Sequence, residues 1–394
     1  MKQVKKVFSV MLVLVMALGL LAGCNDKPAD NKPNSGNGGD TAVDTTWYKD
    51  SETTFTLTKA NQLMGLAELA KTKNFEGKTI KLGADIELNE YSEAILAKWQ
   101  LGTVLPKNVW TPLGNVDLPF AGIIDGQGYK ISGLFVSGAE DGTGFIGTAA
   151  STVELKNVKF VNGYIKNTKN KTGIIGAGAG AKVENVYTNL LIESYGNFIG
   201  GIIGYYQGAY QQTSEGSAEQ WAKGQIIVNN CWFDGTLTTG GYAIGGCVGG
   251  QEARSKFVCT NFLSTGTINA NVEAEYARAG GIFGWLNWSA EYDIQNCVST
   301  TTVKAAYTGL DAMVGALIGD LGANGLKVTN SYGIGKKVIG RDQKNLGLDS
   351  QGILKTADEM KALDIATALP KLEGETASPW EKVDGSAPVL KGLK

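Results

Sequence analysis

None of the 394 residues is histidine, and that shapes every chemical reading of the chain. It removes the commonest general base, the Ser/His and Cys/His nucleophile pairs and most zinc sites together. Cysteine offers little more. Cys231, Cys247, Cys259 and Cys297 follow no metal-ligand spacing, so they read as buried free thiols, with a Cys231 to Cys259 disulfide as the alternative. Gly142-Thr143-Gly144-Phe145-Ile146-Gly147 spells the G-x-G-x-x-G fingerprint. In a dinucleotide fold that loop opens a helix, whereas Val153 to Val161 alternates as a strand, so nucleotide binding is not expected. Asp117, Asp125 and Asp141 read as turn residues bonded to their own backbone. No catalytic residue, cofactor or metal is assigned, and a non-catalytic role is the leading reading.

Aromatic rings with amides beside them are the better candidates. Tyr205, Tyr206, Gln207 and Tyr210 follow one glycine-bracketed segment, with Trp221 further along the same stretch, and Trp285, Asn287 and Trp288 follow another. Flat faces flanked by amides suit sugar rings or a protein partner. The equivalent position between the two sets is Gly250-Gln251. Tyr205 and Trp285 are therefore expected to emerge on one side, two strand spacings apart, with a trough between them. The competing reading is that these rings pack their own loops.

The segments that must position them are repeats. Gly144-Phe145-Ile146-Gly147 returns as Gly173-Ile174-Ile175-Gly176, Gly201-Ile202-Ile203-Gly204, Gly246-Cys247-Val248-Gly249, Gly281-Ile282-Phe283-Gly284 and Gly315-Ala316-Leu317-Ile318-Gly319. The closing glycines are 29, 28, 45, 35 and 35 residues apart, a period that marks a solenoid. Between them run short alternating strands carrying an Asn, without helix-length apolar patterns, so the expected fold is an all-β parallel β-helix with layers about 4.7–4.9 Å apart. Asn157, Asn185, Asn230, Asn296 and Asn330 form a column read as a ladder of amides bonding between layers. Leu63, Leu66, Ala67 and Ala70 fall at helical spacing behind Thr58, and Thr356 with Glu359 has capping-box spacing ahead of Met360, Leu363 and Ala366. Short helices are thus expected to cap both ends, with Trp380 and Val389-Leu390 over the last layer.

The repeated Gly-Gly-Ile-Ile-Gly and Gly-Gly-Ile-Phe-Gly units, behind Trp110-Thr111-Pro112-Leu113-Gly114 and Asp125-Gly126-Gln127-Gly128, resemble the GLUG-motif β-helix proteins of bacterial surfaces. One copy departs, with Cys247 where the others carry bulky apolar groups. The resemblance implies a surface lipoprotein with an adhesin-like or polysaccharide-contacting role, and it supplies no catalytic residues. Right-handedness follows from the resemblance and from the bias of parallel crossovers. A polysaccharide lyase or glycoside hydrolase on the same scaffold is the second reading, although the column of Asp234 holds no further carboxylate in the next layers. A passive envelope spacer is the third.

Lys2, Lys5 and Lys6 precede an apolar run from Val7 to Leu21 that is too short to span a bilayer, and Leu21-Ala22-Gly23-Cys24 resembles the lipobox of bacterial lipoproteins. By that resemblance Cys24 becomes the lipidated first residue, and the protein is extracellular with the membrane as its partner through that anchor; a plain secretory signal is the alternative. The segments expected are 1–23 as signal peptide, 24–46 as polar tether, 47–109 as helix cap and first strands, 110–340 as repeats and 341–394 as C-terminal cap. With 36 basic against 38 acidic residues, and arginine only at 254, 278 and 341, no nucleic-acid partner is expected. A monomer with a glycan or surface-protein ligand completes the reading.

Overall fold

A computed structural model of the chain describes residues 42–206, 225–251, 256–271, 277–287, 291–306, 313–323, 325–351 and 353–394. Among the described residues the strands form four parallel sheets of 13, 7, 6 and 4 strands and one small antiparallel pair. From Ala181 to Leu321 each passage of the chain visits the four sheets in one order. Ala181–Thr188 lies in the long sheet, Leu191–Ser194 in the six-stranded sheet, Ile199–Gly200 in the four-stranded sheet and Ile203–Tyr206 in the seven-stranded sheet. The next passage then pairs beside it.

The register explains the spacing of the glycines. Ile146, Ile175, Ile203, Val248, Phe283 and Ile318 are successive partners, each one residue ahead of a closing glycine. One further pairing, Ile318 with Ile339, adds a shorter passage. The glycines serve close approach. A Cβ on Gly249 would lie 2.3 Å from the backbone nitrogen of Ile199, and one on Gly284 would lie 2.4 Å from the carbonyl oxygen of Gly249. The bracketed apolar residues fill the core, where Ile174, Ile202, Ile282 and Phe283 are fully buried; each such side chain contributes about 1.5–3 kcal/mol.

The Asn column forms as a ladder and gains a member. Asn157, Asn185, Asn230, Asn261, Asn296 and Asn330 all have φ between 48° and 55°, the left-handed conformation that asparagine tolerates better than most side chains. Backbone pairing skips these residues, and the side-chain amides bridge the gap. Asn185 Nδ2 donates to Asn157 Oδ1 at 2.8 Å, and Asn230 Nδ2 donates to Asn185 Oδ1 at 2.6 Å. Between Asn230 and Asn261 the chain of amides breaks, and it resumes where Asn296 Nδ2 donates to Asn261 Oδ1 at 3.3 Å. The Asn261 Nδ2 turns to Asn229 Oδ1 at 3.3 Å and to Glu375 Oε1 at 2.6 Å.

The ends differ in part from expectation. Helix Ala60–Leu69 buries Leu63, Leu66 and Ala67 in the main core, but Lys59 precedes it and Thr58 donates its backbone N–H to Gln62 Oε1 at 2.9 Å. A second helix, Glu93–Leu101, starts at Ser92, whose hydroxyl accepts from Ile95 N, and stops at Gly102 with φ 67°. Its Trp99 packs edge-on against Phe135, 5.3 Å between centroids. At the far end the Thr356–Glu359 capping box forms as expected. The segment it opens lies along the side of the long sheet: Met360, Leu369, Trp380 and Leu390 cluster with Tyr187, Trp232, Leu263 and Val298. Those last four are register partners in successive passages. Leu348 and Ile353, just upstream, join the main core instead. All four described cysteines are free and buried, and burial pushes the Cys231 thiol up to about 12, which leaves it protonated and inert at neutral pH.

Candidate functional site

The residue after each closing glycine stands in one column of the seven-stranded sheet: Thr148, Ala177, Tyr205, Gly250, Trp285, Asp320 and Arg341 are successive register partners. The expected alignment of Tyr205 and Trp285 across Gly250 is therefore met. The expected trough is not. A Cβ at Gly250 would lie 2.3 Å from the Phe198 ring, because that ring occupies the space above the glycine. It sits 4.3 Å from the Tyr205 centroid and stacks within 14° of the Trp285 plane at 6.1 Å. Phe198 itself adopts φ 66°, a conformation that costs a bulky residue of order 1–3 kcal/mol and is held by its packing.

The proposed aromatic face divides accordingly. Tyr205 is buried in the cluster with Phe198 and Ala243, and Tyr206 points inward as part of the main core, so neither presents a face to a ligand. The cause is local: the strand's pairing skips Gly204, and Ile203 and Tyr206 both join the core while Tyr205 packs with its outer neighbours. Asn287 is 6% exposed, and Trp285 is half-buried. Gln207, Tyr210, Trp221, Trp288 and Cys24 lie outside the described residues.

Trp285 opens onto a cleft of about 350 Å³ lined by Arg278, Trp285, Asn287, Gly322, Arg341, Gln343 and Lys344. Two of the three arginines meet there on one carboxylate. Asp320 is fully buried and accepts from Arg278 Nε at 2.7 Å, from Arg341 Nε at 2.8 Å and Nη2 at 2.5 Å, and from Gln343 Nε2 at 3.0 Å. Burial alone would raise its pKa, and the donors from Arg341, Gln343 and Arg278 outweigh it, so the carboxyl lies below the ordinary range and is ionised. The Arg278 guanidinium is also placed over two rings, 5.0 Å from Tyr242 and 5.2 Å from Trp285. The result is an aromatic wall, fixed guanidiniums and amides around one opening. Asp320 accepts hydrogen bonds there and holds no proton to give.

Sequence reasoning reached Trp285 and Asn287 but missed Arg278, Asp320, Arg341, Gln343 and Lys344. A signal for two of them existed: Asp320 follows Gly319, and Arg341 follows Gly340, as Trp285 follows Gly284. Of the acidic turn residues, Asp125 accepts from Gln127 N as expected. Asp141 instead bonds Asn170 in the next passage, and at the Asp117 turn the acceptor is Asn115. Among the described residues no group of three or more Cys, Asp or Glu is placed to hold a metal ion.

No family model and no curated protein matches the chain. A solved structure is similar, described as that of a "putative immunoglobulin A1 protease from Bacteroides ovatus". It has a TM-score of 0.55 at 19% identity, covering 87% of this chain and 94% of that one. At that identity the likeness speaks to the fold alone.

Proposed function

We propose that this is a lipid-anchored cell-surface recognition protein that binds a glycan or protein ligand without chemical turnover. Its scaffold is a right-handed parallel β-helix with helical segments at its two ends, of the kind the GLUG-motif resemblance implies. The unbroken register along the glycine column and the right-handed bias of parallel crossovers support the scaffold. The observation that carries the function is the cleft beside Trp285, where a half-buried indole, two fixed guanidiniums and two amides converge. Sites for small ligands are built this way, from apolar walls and a few placed polar groups. The Leu21-Ala22-Gly23-Cys24 stretch supports the anchor.

Glycan-array binding and pull-down from surface extracts test the site. Trp285→Ala is expected to abolish capture while leaving the strand-dominated circular dichroism intact, and unchanged capture would remove the cleft as the site. Shortening of a bound glycan would overturn the non-catalytic reading. Metabolic labelling with a tagged fatty acid, lost in Cys24→Ser together with membrane partitioning, tests the anchor.

A further inference from the structure

We infer that the Trp285 cleft selects an acidic saccharide, one bearing a carboxylate or sulfate on its ring, rather than a neutral one. The inference deepens the recognition reading and rests on it. Its first support is charge. Arg341 and Lys344 bring their cationic heads to the cleft, and no carboxylate is among the described residues that line it. The nearby Asp342 carboxylate is turned into its own loop, accepting from the backbone N–H groups of Lys344 at 3.0 Å and Leu346 at 2.6 Å, and does not line the opening.

The second support is how the cations are held. Arg341 spends Nε and Nη2 on Asp320, its side chain is 41% exposed, and Nη1 makes no bond to that carboxylate. Lys344 is exposed, and no carboxylate among the described residues pairs with its ammonium. An anion meeting these two groups replaces water and disturbs no existing ion pair. The bidentate contact with Asp320 fixes the guanidinium plane beforehand, so little side-chain entropy is lost on binding. The third support is shape. The half-buried Trp285 indole lines the cleft beside the cations, and the volume lies at the low end of the range for small-molecule sites. A ring that stacks on one face and carries its charge at the edge satisfies both, whereas an acidic peptide would use the charge and leave the wall unfilled.

The test is calorimetric titration of the full chain with uronate, sialic-acid and sulfated oligosaccharides, each beside a neutral counterpart: methyl esters for the carboxylates and desulfated forms for the sulfates. A hexaglutamate peptide is the control. At least one acidic saccharide is expected to bind about tenfold or more tighter than its neutral form, with the difference shrinking in high salt. The class that does so separates carboxylate from sulfate. Lys344→Glu should erase the preference without moving the thermal midpoint. Equal binding of acidic and neutral forms overturns the inference while leaving the recognition reading in place. Binding of hexaglutamate without any saccharide overturns the saccharide class. Absence of binding by every acidic probe also overturns the inference, and the Trp285→Ala capture experiment then decides the recognition reading by itself.

Discussion

Two columns run through the same passages of this chain and are built on opposite terms. On the long sheet the left-handed position is Asn in six passages, Asn157 to Asn330, with the same backbone angle each time. On the seven-stranded sheet the position after the closing glycine is Thr148, Ala177, Tyr205, Gly250, Trp285, Asp320 and Arg341, never the same residue twice. Both columns keep register equally well. A uniform column answers a backbone requirement that recurs in every layer. The varied column meets no such requirement, so its side chains are available for a local task, and the charged and aromatic ones gather at one end.

Breaking the charged end should cost most. Asp320→Ala leaves Arg278 and Arg341 facing each other without their carboxylate, and removing one partner of a buried ion group destabilises by about 3–5 kcal/mol; urea denaturation reads it. The pH dependence sharpens the point. Because the Asp320 pKa is depressed in the fold, its contribution is complete above the unfolded value of about 3.9 and is lost as pH falls through the lower folded value. The stability gap between the wild type and Asp320→Asn should therefore narrow in acid and stay constant above that range. A gap that persists in acid would mean the carboxylate is not what holds the pair.

The uniform column comes next. Asn185→Ala forfeits the bonds to Asn157 and from Asn230 and places a Cβ residue at φ 55°; the loss should be about 2–3 kcal/mol. Asn185→Gly restores the backbone freedom but not the amides, so about half of that loss should return. Gly250→Ala pushes a methyl onto the Phe198 ring, with an expected cost of about 1–3 kcal/mol and a changed Trp285 fluorescence. Smallest is Lys344→Glu, within about 0.5 kcal/mol of wild type in stability. If the varied column proved as sensitive at Gly250 as at Asp320, the contrast between the two would fail.

Much of the architecture was legible because close backbone approach leaves glycine as the only residue that fits, so the intervals between glycines report the register directly. The passage ending at Gly340 escaped because Lys337 stands where the opening glycine would be. Helix Glu93–Leu101 escaped because it buries little besides Trp99, leaving no apolar stripe to count, although Ser92 and Gly102 marked its ends. In the site, the column rule pointed to Tyr205 and Trp285 and applies equally to Asp320 and Arg341. What it could not convey is the Phe198 ring lying over Gly250, since an intrusion from across a corner depends on distances between passages. The sideways course of the C-terminal segment was hidden for the same reason.

That segment bears on how the molecule fails under load. Layered repeats held only by their neighbours peel from a free end one layer at a time. Here the last residues are strapped across four layers at once, through Tyr187, Trp232, Leu263 and Val298, and pinned midway by the Trp380 Nε1 bond to Asn261 Oδ1 at 3.0 Å. The late layers cannot peel until the strap lifts, so they should resist a pull as one block and give way together.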